Sequence, residues 1–175
     1  NEKTTGQVPA LDFADASVGQ WSYDYGLPGN YTANWGLAAS GKLTVTTAGT
    51  YRFALGSDDG ARLAIDLDKN GFTAADNLLE DPGPHAHQIV YVNVPFPAAG
   101  TYDFQVRSYN NGSGGSLEVS VATQEGVIPD DDLASGYWEV LGADGAISPV
   151  KLAGQVDVTA YIAVGANVER QDPLI

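Results

Sequence analysis

The stretch Leu55-Gly56-Ser57-Asp58-Asp59-Gly60-Ala61-Arg62-Leu63-Ala64-Ile65 decides how this chain is read. Apolar side chains at Tyr51, Phe53 and Leu55, and again at Leu63 and Ile65, recur at every second residue, the period of a strand with one buried face. The aspartate pair and Gly60 therefore fall between two strands. Adjacent carboxylates repel each other, and a loop that keeps both ionised does so most readily when a hard cation such as Ca²⁺ shares their oxygens.

Strand signals continue on both sides. Leu43 and Val45 alternate with Lys42 and Thr44, and Ala48-Gly49 reads as the turn of a hairpin that returns through residues 50–55. Residues 89–94 and 102–107 give further strands. Residues 110–115, Asn-Asn-Gly-Ser-Gly-Gly, form a glycine-rich loop, and Leu117, Val119 and Val121 mark the strand leaving it. Upstream, Trp21, Tyr23, Tyr25, Tyr31 and Trp35 lie among glycines and turn residues, which suits rings packed over a sheet. No stretch combines helical periodicity with caps. The fold class predicted is all-β, an antiparallel β-sandwich with its calcium-binding loops at one pole. Residues 1–9 are polar and read as a linker, 10–125 as the sandwich core, and 126–175 as a C-terminal extension with additional strands, part of or docked on the same domain.

Among 175 residues, 22 acidic side chains face 8 basic ones, for a formal net charge of -14. That field repels phosphate backbones and anionic membrane surfaces, which argues against nucleic acid as a partner and against direct membrane insertion. There is no cysteine, so disulfides, zinc-thiolate sites and a cysteine nucleophile are excluded. With no Met and no signal-like or membrane-spanning run, the chain reads as one monomeric module of a larger multidomain protein.

Two constellations offer oxygen ligands. The first joins Asp58 and Asp59 to the loop at Asn110, where two carboxylates, an amide oxygen and glycine carbonyls supply the six to eight oxygens that calcium takes. On the residues alone, a tight acidic turn with no ligand stands beside this reading. The second is Asp66-Leu67-Asp68-Lys69-Asn70-Gly71-Phe72-Thr73-Ala74-Ala75-Asp76. Oxygen donors at positions one, three and five, glycine at six and a carbonyl from Phe72 at seven follow an EF-hand-type loop. Asn77 replaces the closing glutamate, so Asp76 has to complete the shell. A structural calcium site and a solvated acidic loop are the two readings. His85 and His87 lack a third ligand for zinc and read as structural hydrogen-bonding groups. The acidic residues 130–132, Asp157 and Asp172 read as solvated surface.

The ordered set Ala48-Gly49-Thr50-Tyr51-Arg52-Phe53, Ser57-Asp58-Asp59-Gly60-Ala61-Arg62-Leu63-Ala64-Ile65-Asp66, His85, Ala99-Gly100-Thr101-Tyr102 and Tyr109-Asn110-Asn111-Gly112 resembles the PA-fourteen (PA14) domain. That family takes its name from the anthrax protective antigen and includes yeast flocculins and modules of large bacterial adhesins. Gly26-Leu27-Pro28-Gly29-Asn30-Tyr31 is similar to the family's usual opening. The resemblance implies that Asp58 and Asp59 are joined by a cis peptide. It also implies that they chelate calcium with the Asn110 side chain and the carbonyls of Gly112 and Gly114. Sugar contacts implied in the same way fall to Asp58, Asp59, Asn110 and Ser113, with vicinal hydroxyls on the metal. Flocculins carry a bulky aromatic where Gly114 stands here, which implies a more open site.

The function that follows is a calcium-dependent carbohydrate-binding lectin module of a secreted or cell-surface adhesin, with cell-surface glycans or polysaccharide as partners. The alternative is a non-catalytic structural spacer stiffened by calcium, without sugar binding. An enzyme is not expected, because the two carboxylates of a glycosidase stand about 5 Å or more apart in unlike environments, which adjacent residues in one turn rarely provide.

Overall fold

The computed structural model describes residues 3–13, 25–128, 133 and 135–162. Twelve strands follow in chain order: β1 (Lys3–Val8), β2 (Asp12–Phe13), β3 (Ala33–Val45), β4 (Gly49–Asp58), β5 (Ala61–Ile65), β6 (Asn77–Asp81), β7 (Gln88–Phe96), β8 (Gly100–Ser113), β9 (Ser116–Ala122), β10 (Trp138–Val140), β11 (Val150–Leu152) and β12 (Val156–Ile162). They form two antiparallel sheets. The larger runs β1-β12-β3-β8-β5-β6, with β11 also on β3, and the smaller runs β10-β9-β4-β7, with β2 also on β9. The chain is thus an all-β sandwich. Its only helical turn among the described residues is the 3-10 turn Ala74–Asp76.

Alternation turns these strands into two layers. Tyr51, Phe53 and Leu55 of β4, Leu63 and Ile65 of β5, Phe104 and Val106 of β8, and Leu117, Val119 and Val121 of β9 are all buried and close one core between the sheets. Phe96 of the smaller sheet packs edge-on against Tyr102 of the larger, with ring centroids 5.0 Å apart at 64°, and against Tyr51 and Phe53, each at 6.1 Å. Two of these rings tie down turns at the far pole. Tyr51 donates its hydroxyl to the Thr47 carbonyl at 3.0 Å, and Tyr102 to the Ala98 carbonyl at 2.7 Å.

Three features differ from the sequence reading, and the pairing of the C-terminal extension makes that reading specific. β3 and β4 do not form a hairpin. β3 pairs with β8 from Ala33↔Ser113 to Val45↔Gly100, while β4 pairs with β7 and β9, so residues 46–48 carry the chain from one sheet to the other. Residues 3–8, expected as linker, form β1 on the edge of the larger sheet, because β12 offers six registered partners from Tyr161 to Val156. The extension pairs directly with the core strands: β10 with β9, and β11 and β12 with β3. Finally, β8 runs through the glycine-rich segment to Ser113 because the start of β3 pairs with it there.

The crossings between sheets set up the site. β4 enters β5 through residues 58–60, β6 enters β7 through 82–87, and β8 enters β9 through 114–115, each passing between sheets at the same pole. Truncating Phe96 to Ala removes the ring that bridges the layers and is expected to cost about 3–5 kcal/mol. A urea midpoint within error of the wild type would contradict this packing.

Candidate functional site

The inward rows of β4 and β8 change character as they reach the crossing pole. Along β4 the row Tyr51, Phe53, Leu55 ends in Ser57 and then Asp59; along β8 the row Tyr102, Phe104, Val106 ends in Ser108 and Asn110. Polar groups thus cap the core. Ser57, Asp59, Ser108 and Asn110 are all buried, and the Ser57 hydroxyl and Asn110 Nδ2 have no hydrogen-bond partner among the described residues. A buried polar group left unmet costs about 1–3 kcal/mol, so each of these two calls for a partner beyond the described side chains.

The Asp58–Asp59 peptide is cis, as the resemblance implies. Around it the crossings lock together. Asp59 N–H donates to the Tyr109 carbonyl at 3.1 Å, and Gly60 O accepts from Tyr109 N–H at 3.1 Å and from the Ser108 hydroxyl at 3.2 Å. Only glycine fits at position 60, since a Cβ there would stand 2.5 Å from Tyr109 Cε1 and 3.1 Å from the Asp81 carbonyl. The Asp59 carboxylate, 7% exposed, takes one hydrogen bond on each oxygen. His85 N–H donates to Oδ1 at 2.9 Å, and Asn111 N–H to Oδ2 at 2.6 Å. The β4–β5 crossing, the β6–β7 crossing and the end of β8 therefore meet on this one residue.

Asp58 sits at the end of β4 and accepts the backbone N–H of His87. Burial first, and then the Asp59 charge, push its carboxyl above the usual carboxylate range; His85, His87 and that hydrogen bond pull the other way. His87 is held below the ordinary imidazole value mainly by burial, with His85 adding to this and Asp58 opposing it. His87 Nδ1 lies 2.8 Å from Ser116 Oγ, and His85 Nε2 lies 3.3 Å from Asp81 Oδ2. Their backbone donors to the aspartates were not foreseen, since no side-chain pattern signals a backbone N–H arriving from 26 residues away.

The structure brings together Asp58, Asp59 and Asn110, with Gly112 at the end of β8 and Gly114 in the crossing that follows. The Ser113 side chain lies outside the described residues, as do residues 130–132 and Asp172. Gly115 completes the cradle. A Cβ there would come within 2.4 Å of Asn110 Nδ2 and 2.6 Å of Trp35 Cζ2, so the side chains of Asn110 and the buried Trp35 occupy its place.

The second acidic loop does not share this pole. β5 is five residues long and places Asp66 at its far end, about 16 Å away at strand rise. There Asp66, Asp68 and Asp76 each offer an oxygen within 4.8 Å of the others. Asp66 is fastened by the backbone N–H groups of Asn70 (3.2 Å) and Gly71 (3.0 Å), and Asp76 Oδ2 by the Thr73 N–H (2.7 Å) and hydroxyl (2.9 Å). Asn70 also donates its side-chain amide to Asp68 at 2.6 Å, and Phe72 stands exposed beside the loop.

The PA14 domain profile matches residues 14–132. The chain belongs to the PA14 domain family. Among solved structures, this PA14 domain is similar to the PA14 sugar-binding domain from an RTX adhesin, with a TM-score of 0.52 and 18% identity over 81% of this chain and 77% of that one. That likeness shows the fold. The PA14 domain of the MpAFP antifreeze protein aligns with a TM-score of 0.45 and 15% identity, over 86% of this chain and 71% of that one. A search of curated proteins finds no match. Among the described residues no helix is long and apolar enough to cross a membrane.

Replacing Gly115 by Ala in this PA14 domain is expected to displace the Asn110 amide and to cost about 1–3 kcal/mol through overpacking. The Asn110 side-chain NH₂ signals in a ¹⁵N-correlated NMR spectrum report the displacement, and a thermal melt reports the cost. Unmoved signals would mean that the cradle is looser than described.

Proposed function

We propose that this PA14 domain is a calcium-dependent carbohydrate-binding module of a secreted or surface-displayed adhesin. It is read as a binding module rather than an enzyme, with cell-surface glycans or polysaccharide as its partners. The observation that carries the reading is the buried, unpartnered Asn110 amide beside a cis-linked aspartate pair at the crossing pole. The donor set fits a hard cation: two carboxylates and an amide oxygen, with the Asp58 carboxyl pushed above its usual range by burial first and by the Asp59 charge second. Asp58, Asp59, the Asn110 side chain and the carbonyls of Gly112 and Gly114 would hold calcium. When bound, the ion supplies open coordination positions for vicinal sugar hydroxyls.

The chain's own residues do the orienting. His85 N–H and Asn111 N–H fix the plane of the Asp59 carboxylate, whose remaining lone pairs accept hydroxyl protons from the ligand. Asn110 Nδ2 supplies a donor, and Ser113 is assigned a further contact. With so few contacts a single sugar binds weakly, and repeated copies on a surface raise the avidity. The likeness to a PA14 sugar-binding domain of an RTX adhesin supports the reading. Calorimetric titration with fucose or glucose is expected to give heats in calcium that vanish in chelator. Asp59→Ala is expected to abolish binding while the far-UV circular dichroism stays native. Equal heats with and without chelator would overturn the proposal and favour the structural spacer.

The loop at Asp66, Asp68, Asn70, Phe72 and Asp76 is read as a structural calcium site on the strength of its three clustered carboxylates. Asp66→Ala is expected to lower the melting temperature in calcium but not in chelator, and to leave sugar affinity unchanged. A melting temperature equal to wild type in calcium would reduce the loop to a solvated turn.

A further inference from the structure

Away from the crossing pole, the outer face of the larger sheet holds an unusual pairing. Arg62 of β5 and Arg107 of β8 stand directly opposite each other in register, where like charges are unfavourable. Glu80 of β6, on the other side of Arg62, forms an ion pair with its Nε at 2.9 Å. An arginine carries five donors, so this pairing does not exhaust Arg62. The two side chains line a cavity of about 160 Å³, the space of about five waters, together with Gln105, Asn77, Thr73 and Phe72.

Among the described residues none of those lining this cavity is acidic, Glu80 meeting Arg62 from the neighbouring strand. The pocket gathers a quarter of the lysine and arginine of a chain with 22 acidic residues and 8 basic ones. Phe72, 37% exposed, forms one wall. The hollow on its other side is lined by Asp103 and Asp157 as well as Lys42, which pairs with Asp103, so the arginine pocket is the part of this face suited to an anion.

We propose that this pocket binds the carboxylate of a uronate-bearing saccharide. The two guanidiniums match a planar carboxylate, Gln105 and Asn77 meet ring hydroxyls, and Phe72 lies against the apolar face of a sugar. The net charge of -14 opposes a polyanion at long range. At ordinary salt that repulsion is screened beyond about 10 Å, so a ligand with isolated carboxylates is selected over a densely charged one. This site shares no residue with the crossing pole and does not depend on calcium being bound there.

The test uses the intact chain with ¹⁵N-labelled arginine side chains, titrated with methyl glucuronide, methyl glucoside and acetate. The Nε–H signals of Arg62 and Arg107 are expected to shift saturably with the glucuronide. The glucoside is expected to leave them unmoved, and acetate to act only at much higher concentration. Arg52, which lies over the Tyr91 ring at 4.8 Å on the other sheet, is the internal control and is expected to stay still. Arg107→Gln is expected to weaken glucuronide binding about tenfold, the loss of one charge-assisted hydrogen bond, with the fold checked by circular dichroism. Equal response to acetate and glucuronide would reduce the pocket to a simple anion site. No shift, a matching shift with the glucoside, or an equal shift at Arg52 would also overturn the proposal.

Discussion

The hydrogen bonds to the two oxygens of Asp59 hold the crossing pole together. One comes from the loop between β6 and β7, the other from the end of β8, and the residue itself lies in the passage from β4 to β5. A carboxylate this buried is costly unless its oxygens meet donors. Meeting them with backbone N–H groups from separate segments ties the β4–β5 passage, the β6–β7 passage and the end of β8 into one cap. A site that relies on few contacts gains from such preorganisation, since little ordering remains to be done when ligand arrives.

Beneath the cap, the core supplies the rigidity. The same period-two rows that close the sandwich with Tyr51, Phe53 and Leu55 on one strand and Phe104 and Val106 on the other end in Ser57, Asp59, Ser108 and Asn110. The candidate site is therefore the polar continuation of the hydrophobic core, and the packing that orders the rings also orders these polar side chains. At the far pole the Tyr51 and Tyr102 hydroxyls secure the return passages by bonding carbonyls four residues back. The two acidic loops, at opposite ends of β5, consequently belong to different tasks. One closes the cap, and the other borders the outer face where Phe72, Arg62 and Arg107 meet.

Much of this was legible from residue order. Alternation at 51–55 and 63–65 identified strands and their buried faces, and the absence of helical periodicity identified an all-β chain. The aspartate pair with Asn110 and its glycines pointed to the family, and the backbone beside Asn110 reaches Asp59 in the structure. The donors at Asp66, Asp68, Asn70 and Asp76 were equally visible, because an EF-hand-type loop is a local pattern whose hydrogen bonds span no more than five residues.

What the sequence by itself determined, then, is the set of strands, the faces they bury and the side chains that carry chemistry, all of which follow from local spacing. Only the tertiary structure decided which strands pair. A turn such as 46–48 has the same residues whether it closes a hairpin or crosses between sheets, and the outcome depended on β8 offering β3 a longer partner than β4 could. In the same way a polar segment at 3–8 became a strand only because β12 presented an open edge. The donors from His85 and Asn111 to Asp59, and the meeting of Arg62 with Arg107, are products of register between distant segments. Backbone N–H groups and sheet register leave no mark in composition or periodicity, because every residue has the former and the latter is settled by the whole core at once.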